Sequence, residues 1–71
     1  MSYNGFVLVD KKFVSEIFWW FIDNGIVVSI PLSLSPYSSE IFISEVTPDQ
    51  RTLCIDYLSS VYGFVPYLYR S

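Results

Sequence analysis

Runs of apolar residues, separated by residues that favour turns, divide the chain into six short elements. Residues 5–9 (GFVLV) are continuously apolar, which is typical of a strand buried on both faces. Residues 26–34 alternate, which predicts a half-buried strand. The apolar positions expected on one face of that strand are Ile26, Val28, Ile30, Leu32 and Leu34. Residues 40–46 and 64–69 are interpreted as two further strands.

Two predicted helices lie between these strands. The first covers residues 11–24, and we expect Asp10 to be its N-cap. The second covers residues 48–62 and begins with the clearest local signal in the chain, the sequence Thr47-Pro48-Asp49-Gln50, which has the form of a capping box. Each predicted helix is followed by a glycine, the residue that most readily ends a helix in a left-handed conformation.

The resulting order, βαββαβ, predicts a single α+β domain over residues 1–71 with a ferredoxin-like arrangement. In that arrangement a four-stranded antiparallel sheet has the order 4-1-3-2, and both helices cover one face. The second and fourth strands are then the edges. These are the two strands that contain Pro31 and Pro66, and proline is confined to sheet edges. The opposite face of the sheet is left without cover.

The amino-acid composition excludes several kinds of catalytic and metal site. The 71 residues include no histidine and one cysteine, Cys54, so histidine catalysis, His/Cys metal sites and an internal disulfide are excluded. Cys54 is expected to be a core thiol rather than a nucleophile. Asp49 and Asp56 share one helix face and are expected to be solvated rather than a catalytic pair. We therefore predict a protein that is not an enzyme and that uses no cofactor or metal ion.

Charge and hydropathy bear on partners and compartment. Four Lys plus Arg against seven Asp plus Glu give a net charge of −3, which does not suit nucleic acid. The most apolar window, residues 17–34, is interrupted by Asp23, Asn24, Gly25 and Pro31, so no membrane insertion is expected. The first nine residues lack the features of a secretory signal, which predicts a cytoplasmic location.

Aromatic residues make up 20% of the chain, and not all of them can be placed in the core. On a helical wheel the first helix buries a stripe that includes Phe18, while Trp19 falls among charged positions and Trp20 flanks the stripe. In the last strand Tyr67 and Tyr69 share one face. If Phe42 joins them, an exposed apolar patch results. The candidate partner-binding residues are Trp19, Trp20, Phe42, Tyr67 and Tyr69.

These residues predict a non-enzymatic protein–protein interaction protein, a small inhibitor or accessory protein of the kind made by viruses and mobile elements. A chain this short gains stability by pairing, so its expected partners are another protein, itself as a homodimer, or both.

An alternative rests on a resemblance. The βαββαβ order, with a helix ending at Asn24-Gly25 followed by Ile-Val-Val-Ser-Ile, is similar in outline to small regulatory domains of the ACT type. The resemblance implies an amino-acid ligand near the first βα loop at a dimer interface. The segment Val9-Asp10-Lys11-Lys12 departs from that pattern because it has no glycine.

Overall fold

A computed structural model describes residues 1–70 as an α+β unit with two α-helices and a five-stranded antiparallel sheet. A 3-10 turn, Lys11–Phe13, joins the first strand to the first helix. The strands and α-helices, in chain order, are β1 (Tyr3–Asp10), α1 (Val14–Asp23), β2 (Val27–Val28), β3 (Leu32–Ser33), β4 (Ser38–Val46), α2 (Pro48–Val61) and β5 (Tyr67–Arg70).

The long strands β1 and β4 form the centre of the sheet. Its order is β2-β4-β1-β5, and β3 also pairs with β4. The prediction of four strands in the order 4-1-3-2 was therefore wrong in detail, because the strand expected over residues 26–34 is two strands of two residues each. The prediction that the proline-containing segments lie at the edges is confirmed: Pro31 directly precedes β3 and Pro66 directly precedes β5.

A one-residue slip separates β2 from β3. Val28 pairs with Ile43, whereas Leu32 pairs with Glu40. The chain thus advances four positions from Val28 to Leu32 while β4 moves three positions, from Ile43 to Glu40. Side chains alternate along a strand, and a slip of one residue moves all later side chains to the opposite face. The prediction that Leu32 shares the face of Val28 was wrong for this reason. Ile30, in the slipped segment, is 85% exposed.

Both helices pack against the same face of the sheet and share one core. Buried side chains alternate along the central strands, with Val7 and Val9 from β1 and Ile41 and Ile43 from β4. The helices add Ile17, Phe21, Cys54 and Leu58. Since all of these residues form one cluster, neither helix of residues 1–70 packs against the other face of the sheet.

The two helices begin differently. At α2 the predicted capping box is confirmed: the Gln50 N–H donates to Thr47 Oγ1 at 3.1 Å, and the Thr47 N–H donates to Gln50 Oε1 at 3.0 Å. At α1 the predicted cap was wrong. Asp10 has an extended backbone, pairs with Ser38 as the end of β1, and makes no capping hydrogen bond. The 3-10 turn takes up the change of direction instead, so α1 begins only at Val14.

Strand β5 approaches β1 unusually closely at Gly5. A Cβ atom at this position would lie 1.7 Å from the Tyr67 carbonyl oxygen. Only glycine permits this approach, which brings β5 into register with residues 3–6 of β1.

Candidate interaction surface

The sheet face away from the helices carries a group of apolar side chains, which we call the open face. Because Val7 and Val9 point into the core, their neighbours in β1 point the other way. The same alternation applies to β4 and β5. The apolar members of the open face are Phe6, Leu8, Val27, Leu32, Phe42, Tyr67 and Tyr69.

An aromatic row crosses the centre of this face. Phe6 pairs with Phe42 on one side and with Tyr67 on the other, so the three rings lie side by side on three strands. The Phe6 and Tyr67 ring centroids are 5.7 Å apart, and those of Tyr67 and Tyr69 are 5.3 Å apart. Phe42 is 45% exposed and Tyr67 is 58% exposed. The row therefore presents aromatic surface to solvent.

A second row lies beside the first. The register places Glu40 between Leu32 and Leu8, both of which are about half exposed. Glu40 carries the one charge in these two rows, and neither row contains a lysine or an arginine.

The size of the open face can be estimated from its rings. A fully buried aromatic side chain covers about 150–250 Å², so three half-exposed rings present roughly 300 Å². The half-exposed leucines raise the apolar area to roughly 400–500 Å². Patches of about 300–600 Å² are the largest on a typical monomer and often mark functional sites.

Trp19 lies on a different surface. It belongs to α1, is 57% exposed, and packs edge-to-face against Phe18 with the ring centroids 5.5 Å apart. Phe18 was expected in the core but is only half-buried. Since the helices cover the face opposite the open face, Trp19 cannot join the aromatic row.

Trp20 packs inside the helical layer. Its ring stacks on Tyr57 of α2 with the centroids 4.2 Å apart and the planes 2° from parallel. Half-buried, it also packs against the core. The stacked rings of Trp20 and Tyr57 therefore join the two helices.

Of the five candidate residues, the structure thus brings together Phe42, Tyr67 and Tyr69, and it places the two tryptophans elsewhere.

The candidate residues omitted four apolar members of the open face: Phe6, Leu8, Val27 and Leu32. Leu8 lies in a run in which every residue is apolar, so the sequence carries no signal that distinguishes its two faces. Leu32 was assigned to the wrong face because of the slip before β3.

The pKa values of the Cys54 thiol and of the partly buried Tyr62 hydroxyl are both raised, so neither group ionises readily at neutral pH. Burial raises the pKa of the Cys54 thiol to about 11, so it is protonated at neutral pH. Burial, together with Tyr57 and Glu16 nearby, raises the pKa of Tyr62 to about 12. Within residues 1–70, no group of three or more His, Cys, Asp or Glu side chains is placed to hold a metal ion.

A shallow cavity of about 300 Å³ lies at the connection between β1 and α1. It is lined by Asp10, Lys11, Lys12, Pro36 and Tyr37. The Lys11 Nζ donates a hydrogen bond to Ser33 Oγ, which ties this connection to β3. The Lys12 ammonium lies 5.2 Å from the centroid of the Phe13 ring.

Among residues 1–70, neither α-helix has the length and apolar character needed to cross a membrane. Comparisons of the chain with protein-family models, with curated proteins and with solved structures found no match.

Proposed function

We propose that this protein is a non-enzymatic interaction protein, a small inhibitor or accessory protein that binds a protein surface through its open face in the cytoplasm. The observation that carries the proposal is the row of Phe42, Phe6 and Tyr67, in which Phe42 and Tyr67 are about half exposed, on the sheet face that neither helix of residues 1–70 covers. Tyrosine and other aromatic residues are enriched at protein interfaces, where they contribute much of the binding energy.

The edges of the sheet are less suited to binding than its face. An edge strand pairs with another chain through its backbone, and proline, short strands and irregular register all oppose such pairing. Pro66 directly precedes β5 at one edge. At the other edge β2 and β3 have two residues each and are separated by the slip at Pro31. These features favour contact through side chains on the open face.

The charge of the open face favours a protein partner over nucleic acid. Its two rows contain Glu40 but no lysine or arginine, and the whole chain has a net charge of −3. A surface that stacks on bases needs basic groups to neutralise the phosphates, and such groups are missing from these rows.

The finer topology supports the same function. If β2 and β3 are counted as one interrupted strand, the order of the sheet corresponds to 4-1-3-2, and we propose that the fold is an interrupted form of the ferredoxin-like arrangement. Such an arrangement leaves one sheet face uncovered for a partner.

Site-specific photo-crosslinking in the producing cell tests this function. A photoreactive phenylalanine analogue replaces Tyr67 in one variant and Tyr37 in a control. Tyr37 is 80% exposed but lies outside the open face. We expect discrete protein adducts from position 67 and not from position 37. Equal labelling at both positions, or no protein adduct at position 67, would contradict the proposed surface.

The cavity at the first βα connection favours a second candidate, an ACT-like domain that senses a small molecule. Asp10 offers a carboxylate to an ammonium group, and Lys11 and Lys12 offer charge to a carboxylate, so a zwitterion such as an amino acid matches the lining. A thermal-shift screen of the amino acids tests it. A specific rise in melting temperature that is lost in Lys12→Ala supports this candidate, and the lack of any shift at millimolar concentration would remove it.

A further inference from the structure

We propose that the occupant of the open face is a second copy of this chain, packed face to face so that two sheets form the centre of a dimer and the helices lie outside. This inference rests on the proposed function, because it names the partner of the same surface. It is argued from the area of the patch, from its charge and from its symmetry.

The area fits what a stable dimer requires. A standard interface buries about 800 Å² on each partner, and about 65% of a homodimer interface is apolar. The apolar part of such an interface is therefore roughly 500 Å² on each partner, which is close to the apolar area of the open face. Polar neighbours on the same face, such as Ser44 of β4, can supply the rim.

The charge of the face also fits a second copy. A partner of different sequence is usually selected by complementary charge, yet the two rows offer only the carboxylate of Glu40. Apart from Glu40, and Asp10 at the end of β1, this face carries apolar or neutral side chains, and an apolar surface is complementary to itself, as an isologous interface requires.

Strand β4 indicates where the two-fold axis lies. Glu40 and Ser44 stand two residues on either side of Phe42 and share its face. An axis along the aromatic row therefore sets each Phe42 near its counterpart and sets Glu40 opposite the Ser44 hydroxyl of the second copy, which can donate a hydrogen bond to the carboxylate. An axis along the row of Leu32, Glu40 and Leu8 would instead set the two Glu40 carboxylates against each other.

Sedimentation equilibrium from micromolar to millimolar concentration tests the proposal. We expect a dimer for the wild type and for the control Tyr37→Lys, and a dissociation constant raised at least about 30-fold in Phe42→Lys and Tyr67→Lys. Circular dichroism confirms that each variant is folded. Two different strands are changed, so one unfolded variant leaves the other to decide.

A short bismaleimide crosslinker tests the axis separately. Packed sheets are about 10 Å apart, so a cysteine at position 42 would lie within reach of its counterpart. Cys54 is buried, so we expect the crosslinker not to reach it in the folded protein. We expect Phe42→Cys to give covalent dimers and Tyr37→Cys to give none.

The outcomes separate this inference from the proposed function. A wild type that is monomeric at every concentration, or a folded Phe42→Lys variant that remains dimeric, overturns the second copy as occupant. If the wild type is monomeric while position 67 still crosslinks to a different protein in cells, the open face remains the binding surface and only its occupant was wrong.

Discussion

Replacing Gly5 by alanine tests the close approach of β5 to β1. In an open strand position, alanine is more stable than glycine by about 0.5–1 kcal/mol, because glycine loses more backbone entropy on folding. Here the added Cβ would lie 1.7 Å from the Tyr67 carbonyl oxygen, whereas real Cβ contacts do not fall below 3.0 Å. Strand β5 must therefore retreat by about 1.3 Å, the difference between these distances. We therefore expect Gly5→Ala to lower stability, whereas alanine in an open strand position would raise it.

The size of the effect follows from what β5 contributes. Its four residues pair with Tyr3–Phe6 of β1, and backbone hydrogen bonds contribute about 1 kcal/mol each, or roughly 4 kcal/mol for such a ladder. Burial of Leu68 adds about 2 kcal/mol. If β5 moves away from β1 only partly, part of this stabilisation is lost, so Gly5→Ala should lower the free energy of unfolding by about 2–5 kcal/mol. A chain of this length is stable by only about 4–10 kcal/mol.

Urea denaturation and hydrogen exchange measure the effect. We expect lower stability and loss of amide protection in β5 before β4. Gly25→Ala is the matched control: its backbone has a φ of +68°, but among residues 1–70 no heavy atom outside Gly25 and its chain neighbours lies within 4 Å of the added Cβ. We expect it to lose only about 1–2 kcal/mol and to leave β5 protected. If Gly5→Ala proved as stable as the wild type, the close packing of β5 on β1 would be wrong.

Four further substitutions probe other parts of the fold. Trp20→Ala removes the stacked ring between the helices and should cost about 2–4 kcal/mol in chemical denaturation, whereas Trp19→Ala should change stability by less than about 0.5 kcal/mol; equal losses would contradict their different placement. Thr47→Ala removes the capping box and should lower stability by about 1 kcal/mol, and no loss would contradict the cap. The pKa of Cys54 is about 11 in the folded chain against 9.0 when exposed, so its contribution is complete below pH 9 and decreases as pH rises toward 11, by about 1.4 kcal/mol per pH unit. Cys54→Ala should lack this slope in urea titrations between pH 8 and 10, below the range in which the raised pKa of Tyr62 also lowers stability, and an identical slope would refute the assignment.

Local signals in the sequence were sufficient for the start of α2 and for the sheet edges. The capping box joins Thr47 and Gln50, which are only three residues apart. Proline has no backbone N–H to pair with a second neighbouring strand, so its position at a sheet edge follows from the residue alone. The element types follow from patterns of this kind, and the α+β class follows from the elements.

The parts that could not be predicted depend on distant contacts. The slip before β3 is visible only in the register against Glu40 and Ile43 of β4. The continuous apolar run of β1 conceals that Leu8 lies on the open face while Val9 lies in the core. The sequence therefore indicated the aromatic residues that β4 and β5 place on the open face, but it gave no signal that the Trp20 ring stacks on Tyr57.

Nuclear magnetic resonance with a soluble paramagnetic agent tests the central claim, that a second copy covers the open face, most directly. In the isolated chain Tyr67 and Trp19 are equally accessible, at 58% and 57% exposed. At millimolar protein we expect the agent to broaden the signals of Trp19 and to spare those of Phe42 and Tyr67. Equal broadening of all three residues would contradict the account.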